Sequence, residues 1–217
     1  MKQTEMFEQT MIVFTSDHGE YLGDHWLGEK DLFHDASVKI PLIIVNPNAT
    51  AEDTRGSVCS EMVEAVDLLP TFVEYAGGII NHERVEGQSL MPLLRSRTAP
   101  GNWRQFALSE IDYSERGAQS LLNLAPYDCR ALMIRDKRWK YIYHNLFRAQ
   151  LFDMQKDPQE LIDLGDDPAY TRQRAKMRKL MIDSRRRLKP RIGVPYLSLA
   201  NLGPEQDEAQ GMVIGRW

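Results

Sequence analysis

The chain has 217 residues, a formal net charge of −4, 42% hydrophobic and 27% charged residues, the make-up of a globular protein with a real core in one large domain or two small ones. The charge advertises no polyanion partner, and no apolar run approaches the ~20 residues of a membrane span, so neither nucleic acid nor membrane is expected as a partner. Cys59 and Cys129 lie far apart without metal-site spacing and read as free thiols of a reducing compartment.

Met1 to Met6 is polar and shows no signal peptide, which favours a cytoplasmic location. Met11-Ile12-Val13-Phe14 is a branched, aromatic run that reads as a central strand buried on both faces. Polarity switches on abruptly at Thr15-Ser16-Asp17-His18-Gly19-Glu20, and in open α/β sheets ligands sit just beyond the carboxyl ends of strands. Asp17 and His18 can each ligate a metal, and Gly19 relaxes the backbone so that both can face one point. A turn with a capping Asp and a surface His is the competing reading. A loop follows, rich in glycine and ending on Lys30, before the next strand candidate at 40–45. A polar loop of this length between apolar strands usually has a job.

Residues 46–62 are polar and irregular, with a turn at Asn46-Pro47-Asn48 and a possible short strand from Arg55. Asp67 as N-cap, Pro70 in the first turn and Gly77-Gly78 past the end predict a helix over 68–76. Ser89 caps a shorter one through Leu94, and 95–105 reads as a linker. Strand-like periodicity then takes over at 106–111, at 130–135 and 139–144 flanking Asp136-Lys137-Arg138 as a hairpin, and at 150–153. Asp166-Asp167-Pro168 opens a long helix over roughly 169–188 with an apolar stripe of Met177, Leu180, Met181 and Leu188. Its many basic residues read as a solvated face rather than a nucleic-acid surface. The tail from Pro190 ends on Met212-Val213-Ile214 and Trp217, an apolar end expected to dock on its own domain or a neighbouring subunit, so a homo-oligomer is expected.

Val13 to Glu20, then Leu22-Gly23-Asp24-His25, Lys30 and Val38-Lys39-Ile40-Pro41-Leu42-Ile43 resemble the second metal-binding segment of the sulfatases. The pattern is most similar to the phosphonate monoester hydrolase and arylsulfatase group of the alkaline phosphatase superfamily. Trp139-Lys140-Tyr141-Ile142 and Leu151-Phe152-Asp153 with Asp157-Pro158 resemble that family's C-terminal part. The resemblance implies that Asp17 and His18 bind one divalent cation, that Lys30 contacts the oxygens of a small anionic ester substrate, and that His25 lines the site or structures its loop. An oxygen-rich site with one imidazole suits Mn²⁺ or Ca²⁺, with Zn²⁺ or Fe²⁺ as further options. His34 is placed either near the pocket or on the surface, His144 in a strand, and Tyr113 and Arg116 in a loop of no assigned role.

The resemblance also implies a formylglycine nucleophile, made from Cys in Cys-x-Pro-x-Arg. Cys59 opens Cys-Ser-Glu-Met-Val and Cys129 opens Cys-Arg-Ala-Leu-Met, so neither fits. The implied chain begins in mid-domain, as the C-terminal half of a sulfatase-type enzyme with about half of the active site. The expected fold is α/β: part of an alkaline-phosphatase-like mixed sheet flanked by helices over 1–100, then a C-terminal subdomain of antiparallel strands, long helix and tail over 101–217. The Lys30 spacing argues against the phosphoglycerate mutase and nucleotide pyrophosphatase types of the superfamily. The alternative from another class is an inactive structural or binding module.

Overall fold

The computed structural model describes residues 6–188. Its larger sheet is built from β3 (Phe106–Asp112), β4 (Arg130–Asp136), β5 (Trp139–His144) and β6 (Gln150–Asp153), antiparallel throughout and in chain order. The alternation of these strands sends successive side chains to opposite faces. On one face Ile134, Tyr141 and Leu151 pack against Met177 and Met181 of α5 (Thr171–Arg186). On the other, Ala131, Met133, Ile142 and Phe152 pack against Phe33 and Val38, one just before and the other the last residue of the short helix α1 (Asp35–Val38). The sheet is thus a slab with a covering helix on one side and the segment that carries the candidate site on the other.

The smaller sheet is a pair, β1 (Ile12–Thr15) antiparallel to β2 (Leu42–Val45), with Ile12 opposite Val45 and Thr15 opposite Leu42. Here the structure departs from expectation. β1 is not covered on both faces: it has one hydrogen-bonded neighbour among the described residues, and Phe14 and Ile43, directly opposite each other, are 61% and 60% exposed. An apolar run gives the propensity to form a buried strand, but the burial has to come from elements packed on it.

Helices α2 (Leu68–Tyr75) and α3 (Met91–Arg95) form where the cap and proline signals put them, with Gly77 in the left-handed conformation that ends α2. Asp67 is not a side-chain cap of α2. It ends a 3-10 turn (Ala65–Asp67), and its buried carboxylate accepts from the Glu64 and Gln88 N–H groups, each at 2.8 Å, and from Arg104 at 2.6 Å. That last bond belongs to the stretch read as a linker, which instead buries Trp103, its indole N–H donating to the Met62 carbonyl at 3.0 Å. No strand forms after Arg55; a 3-10 helix (Ala49–Thr54) and a left-handed Gly56 take that place. The hairpin turn at 136–138 is held by the Asp136 carboxylate, which accepts from the N–H groups of Arg138 and Trp139. Asp167 caps the 3-10 turn (Pro168–Tyr170) that leads into α5, accepting from the Ala169 N–H at 2.8 Å. Within the stripe of α5, Met177 and Met181 are buried, whereas Leu188 lies past the helix end and is exposed. α4 (Gly117–Leu121) sits in the long β3–β4 connection. The apolar tail lies outside the described residues.

Candidate metal and oxyanion site

β1 ends at Thr15 and delivers Asp17 and His18 into a turn. His18 Nδ1 lies 2.6 Å from the Gly19 carbonyl oxygen, which can only accept, so Nδ1 donates there and Nε2 is the ring nitrogen left to ligate. A ring N–H committed to a backbone carbonyl is the usual support of a metal-binding imidazole. His18 Nε2 lies 3.6 Å from Asp17 Oδ2, a span that two donors on one divalent cation at roughly 2.0–2.3 Å can share. The Asp17 carboxyl is held below its ordinary range by its own backbone N–H, by the charge and N–H of His18 and by Lys30, against a smaller upward push from desolvation. The pair fits a cation, as two of its ligands: among the described residues no group of three or more His, Cys, Asp and Glu converges that could hold a metal unaided.

The loop from Gly19 to Lys30 is a tight ribbon. Tyr21 N–H donates to the Glu29 carbonyl and Gly23 N–H to that of Leu27, both at 3.0 Å. Its tip uses left-handed backbone at Leu22, Gly23, His25, Trp26 and Glu29, and four of those five are not glycine. Such conformations persist only where the surroundings over-determine them. The surroundings here are aromatic. Tyr21 is buried; its hydroxyl is hydrogen-bonded to His34 Nδ1 at 2.8 Å and receives the His34 N–H at 3.3 Å. The His25 ring stacks on that of His34 at 3.9 Å between centroids, and His34 meets Phe152 of β6 edge-on. His34 is therefore not a surface residue: burial first, then the charges of His25 and Lys140, bring its pKa down to about 4. Burial pushes Tyr21 up to about 12. His25, at the loop's tip, is held by its ring contacts with His34 and Tyr21, while Trp26 and Leu22 point outward, 93% and 89% exposed.

Lys30 is exposed at the loop's end. Its neighbour Asp31 pairs with Arg116 at 2.9 Å, which ties the β3–β4 connection to this corner of the molecule. Tyr113 packs on the sheet instead, and His144 sits in β5 beside Gln150, far in sequence from the loop. Gly19 turns out to be needed for space rather than for rotation: a Cβ there would lie 2.0 Å from the Ala36 carbonyl oxygen.

Beneath α1 is a set of charges that the sequence signals did not mark as functional. Arg135 and Lys140 are cross-strand partners in the β4–β5 register, and side-by-side cations are unfavourable unless an anion is shared. Asp35 is that anion, 2.9 Å from Arg135 and 2.6 Å from Lys140. Lys140 is fully buried, 2.6 Å from Glu160 Oε1 and donating to the Phe33 carbonyl at 2.9 Å. Glu160 Oε2 accepts the Asp35 N–H at 2.6 Å. Burial raises the Asp35 carboxyl, but Lys140, Arg135 and Lys39 outweigh it and the net shift is downward. The available signal was a lysine at an inward position of an alternating strand, Trp139-Lys140-Tyr141.

Residues 23–187 match the family described as N-sulphoglucosamine sulphohydrolase, C-terminal. The chain belongs to that family. It is 33% identical over 175 residues, 78% of its length, to the multifunctional alkaline phosphatase superfamily protein PehA of Trinickia caryophylli, of which it covers 33%. It is 28% identical to an arylsulfatase of Clostridium perfringens, over 80% of the chain and 33% of that protein. The fold matches the phosphonate monoester hydrolase of Agrobacterium radiobacter with a TM-score of 0.77 and 30% identity, over 85% of the chain and 36% of that structure. The α/β fold with its antiparallel sheet and long C-terminal helix is thus that of the C-terminal portion of alkaline-phosphatase-like sulfatases. The chain spans about one third of the length of the curated relatives it matches.

Proposed function

We propose that the protein to which these residues belong hydrolyses sulfate esters or phosphonate and phosphate esters with the help of a divalent cation. The observation that carries the reading is the placement of Asp17 Oδ2 and His18 Nε2 3.6 Å apart on a strand end, with the other ring nitrogen committed to the Gly19 carbonyl, in a chain whose relatives are sulfatases and phosphonate monoester hydrolases. Asp17 offers a hard oxygen and His18 a nitrogen, a donor set suited to Mn²⁺ or Ca²⁺ and open to Zn²⁺ or Fe²⁺. Held by Asp17 and His18, a cation would supply positive charge against the negative charge that builds on the ester oxygens in the transition state. Lys30 adds a point charge for the substrate oxyanion. A formylglycine nucleophile would have to come from outside these 217 residues, since neither cysteine lies in the required pattern.

A second reading has support of its own. Two ligands do not complete a site, and a chain in which no three-ligand group converges among the described residues is also what a structural or binding module would present. Addition of Mn²⁺ to the isotope-labelled chain separates the two. The ester-hydrolase reading expects weak but selective paramagnetic broadening at residues 17–19, lost in Asp17→Ala, and sulfate-dependent shifts at Lys30. Uniform broadening that Asp17→Ala leaves unchanged supports the module. The 217-residue chain itself is expected to be silent against aryl sulfates and aryl phosphonates with added Mn²⁺. Turnover that survives purification and disappears in Lys30→Ala would show that these residues suffice.

A further inference from the structure

We propose that Ser37 is the positioning residue that fixes the spacing between the Asp17–His18 pair and Lys30; the inference rests on reading those three residues as one metal and oxyanion site. Ser37 is buried, and its two polar ends serve the two arms of the loop. Its carbonyl accepts the Gly19 N–H at 2.7 Å, next to His18. Its hydroxyl donates to the Lys30 carbonyl at 2.6 Å. A helical serine ordinarily satisfies its hydroxyl on a carbonyl three or four residues back in its own helix. Ser37 reaches seven residues back, across the loop, to the residue whose ammonium the site would use.

A pin positions only if it is itself immobile. α1 has four residues and cannot hold its place by helix stability alone. It is fixed from below, where Asp35 binds Lys140 and Arg135 through its carboxylate and Glu160 through its N–H. On the near side the backbones of Gly19 and Ala36 are in such close approach that no side chain fits between them. The metal pair and Lys30 are therefore each one hydrogen bond from a residue anchored to the large sheet. The loop between them has four left-handed non-glycine residues that would relax on release. The sheet, through Lys140, Asp35 and Ser37, sets the geometry of the candidate site carried on that same face.

The test is residue-resolved amide exchange on the whole 217-residue chain. Tyr21 N–H, bonded to the carbonyl of Glu29 beside Lys30, reports the Lys30 arm; Gly19 N–H reports the metal arm. In Ser37→Ala the backbone bond to Gly19 remains and the hydroxyl is gone. Tyr21 is expected to exchange about tenfold faster, the scale of one lost hydrogen bond, with Gly19 unchanged. Ser37→Thr keeps the hydroxyl and should restore Tyr21. Equal acceleration at both amides, no change at Tyr21, or a threonine variant as fast as the alanine one overturns the proposal. Ser37→Cys, which fills the space with a weak donor, takes the place of an alanine variant that does not fold. If both fail to fold while Ser37→Thr folds, the hydroxyl maintains the fold rather than the spacing, and the proposal fails as well. Mn²⁺ broadening keeps the two readings apart: its absence at residues 17–19 of the parent removes the metal site, while the exchange asymmetry still decides what Ser37 does.

Discussion

Lys140 shows how one side chain can couple two regions. It is fully buried between Asp35 and Glu160, and removing one partner of a buried ionic set leaves uncompensated charge. Lys140→Met is expected to cost about 3–5 kcal/mol in urea unfolding, and adding Glu160→Gln should recover part of that; a cost below about 1 kcal/mol would mean the charges are not dry. His34 makes a second prediction. Its pKa in the folded chain is about 4, below the ordinary ~6.5 of the unfolded chain, so between those values the unfolded state binds the extra proton. Stability should be unaffected by this group above about pH 6.5, fall as pH drops towards 4, and lose no more to it below that, about 3 kcal/mol in all. His34→Gln should flatten the pH dependence of stability across that window, and an equally steep variant would contradict the assignment.

At the scale of elements, close approach and burial decide more than propensity. Gly19→Ala would force a Cβ into the Ala36 carbonyl, so the 17–19 turn must separate from α1. It is expected to weaken Mn²⁺ broadening at residues 17–19 and to lower the melting temperature, whereas alanine at Gly28, which has open space around it, should do neither. Along α5, Met177→Ala removes a side chain with no exposure and should cost about 2–5 kcal/mol. Leu188→Ala, outside the helix and exposed, should fall within about 0.5 kcal/mol. Equal costs in chemical denaturation would mean that the stripe extends beyond the helix end.

For the whole molecule, the open face of the small sheet matters most. Phe14 and Ile43 stand opposite each other and exposed, on a pair of strands with unpaired outer edges among the described residues. Such edges and apolar faces are templates for association. The chain is expected to self-associate in sedimentation velocity, and Phe14→Lys with Ile43→Lys should shift it towards monomer. No shift would move the contact to another surface. Among the described residues no helix is long and apolar enough to cross a membrane.

The order and type of the elements could be read in advance wherever a local rule governed them. Alternation in Trp139-Lys140-Tyr141-Ile142, the Asp136-Lys137-Arg138 turn, the Asp167-Pro168 start of α5 and the glycines after α2 each encode a structure within a few residues, because hydrogen bonds of turns, caps and hairpins are local. Asp17, His18 and Lys30 stand out as a candidate site through the resemblance of their loop to a sulfatase segment, since a strand-end Asp-His and a lone lysine are by themselves equally a turn and a surface residue. What lay beyond the sequence was long-range. Whether β1 is covered depends on what packs over it; Asp67 gave up a cap for Arg104, 37 residues away; and His34 is buried, its ring edge-on to Phe152. Ser37 and Lys140 look like an ordinary helix serine and an ordinary strand lysine in the sequence. Only the tertiary structure brings Asp35 within 2.6 Å of Lys140, 105 residues on, and an ion pair of that separation leaves no local pattern, since its energy comes from burial that distant chain segments create.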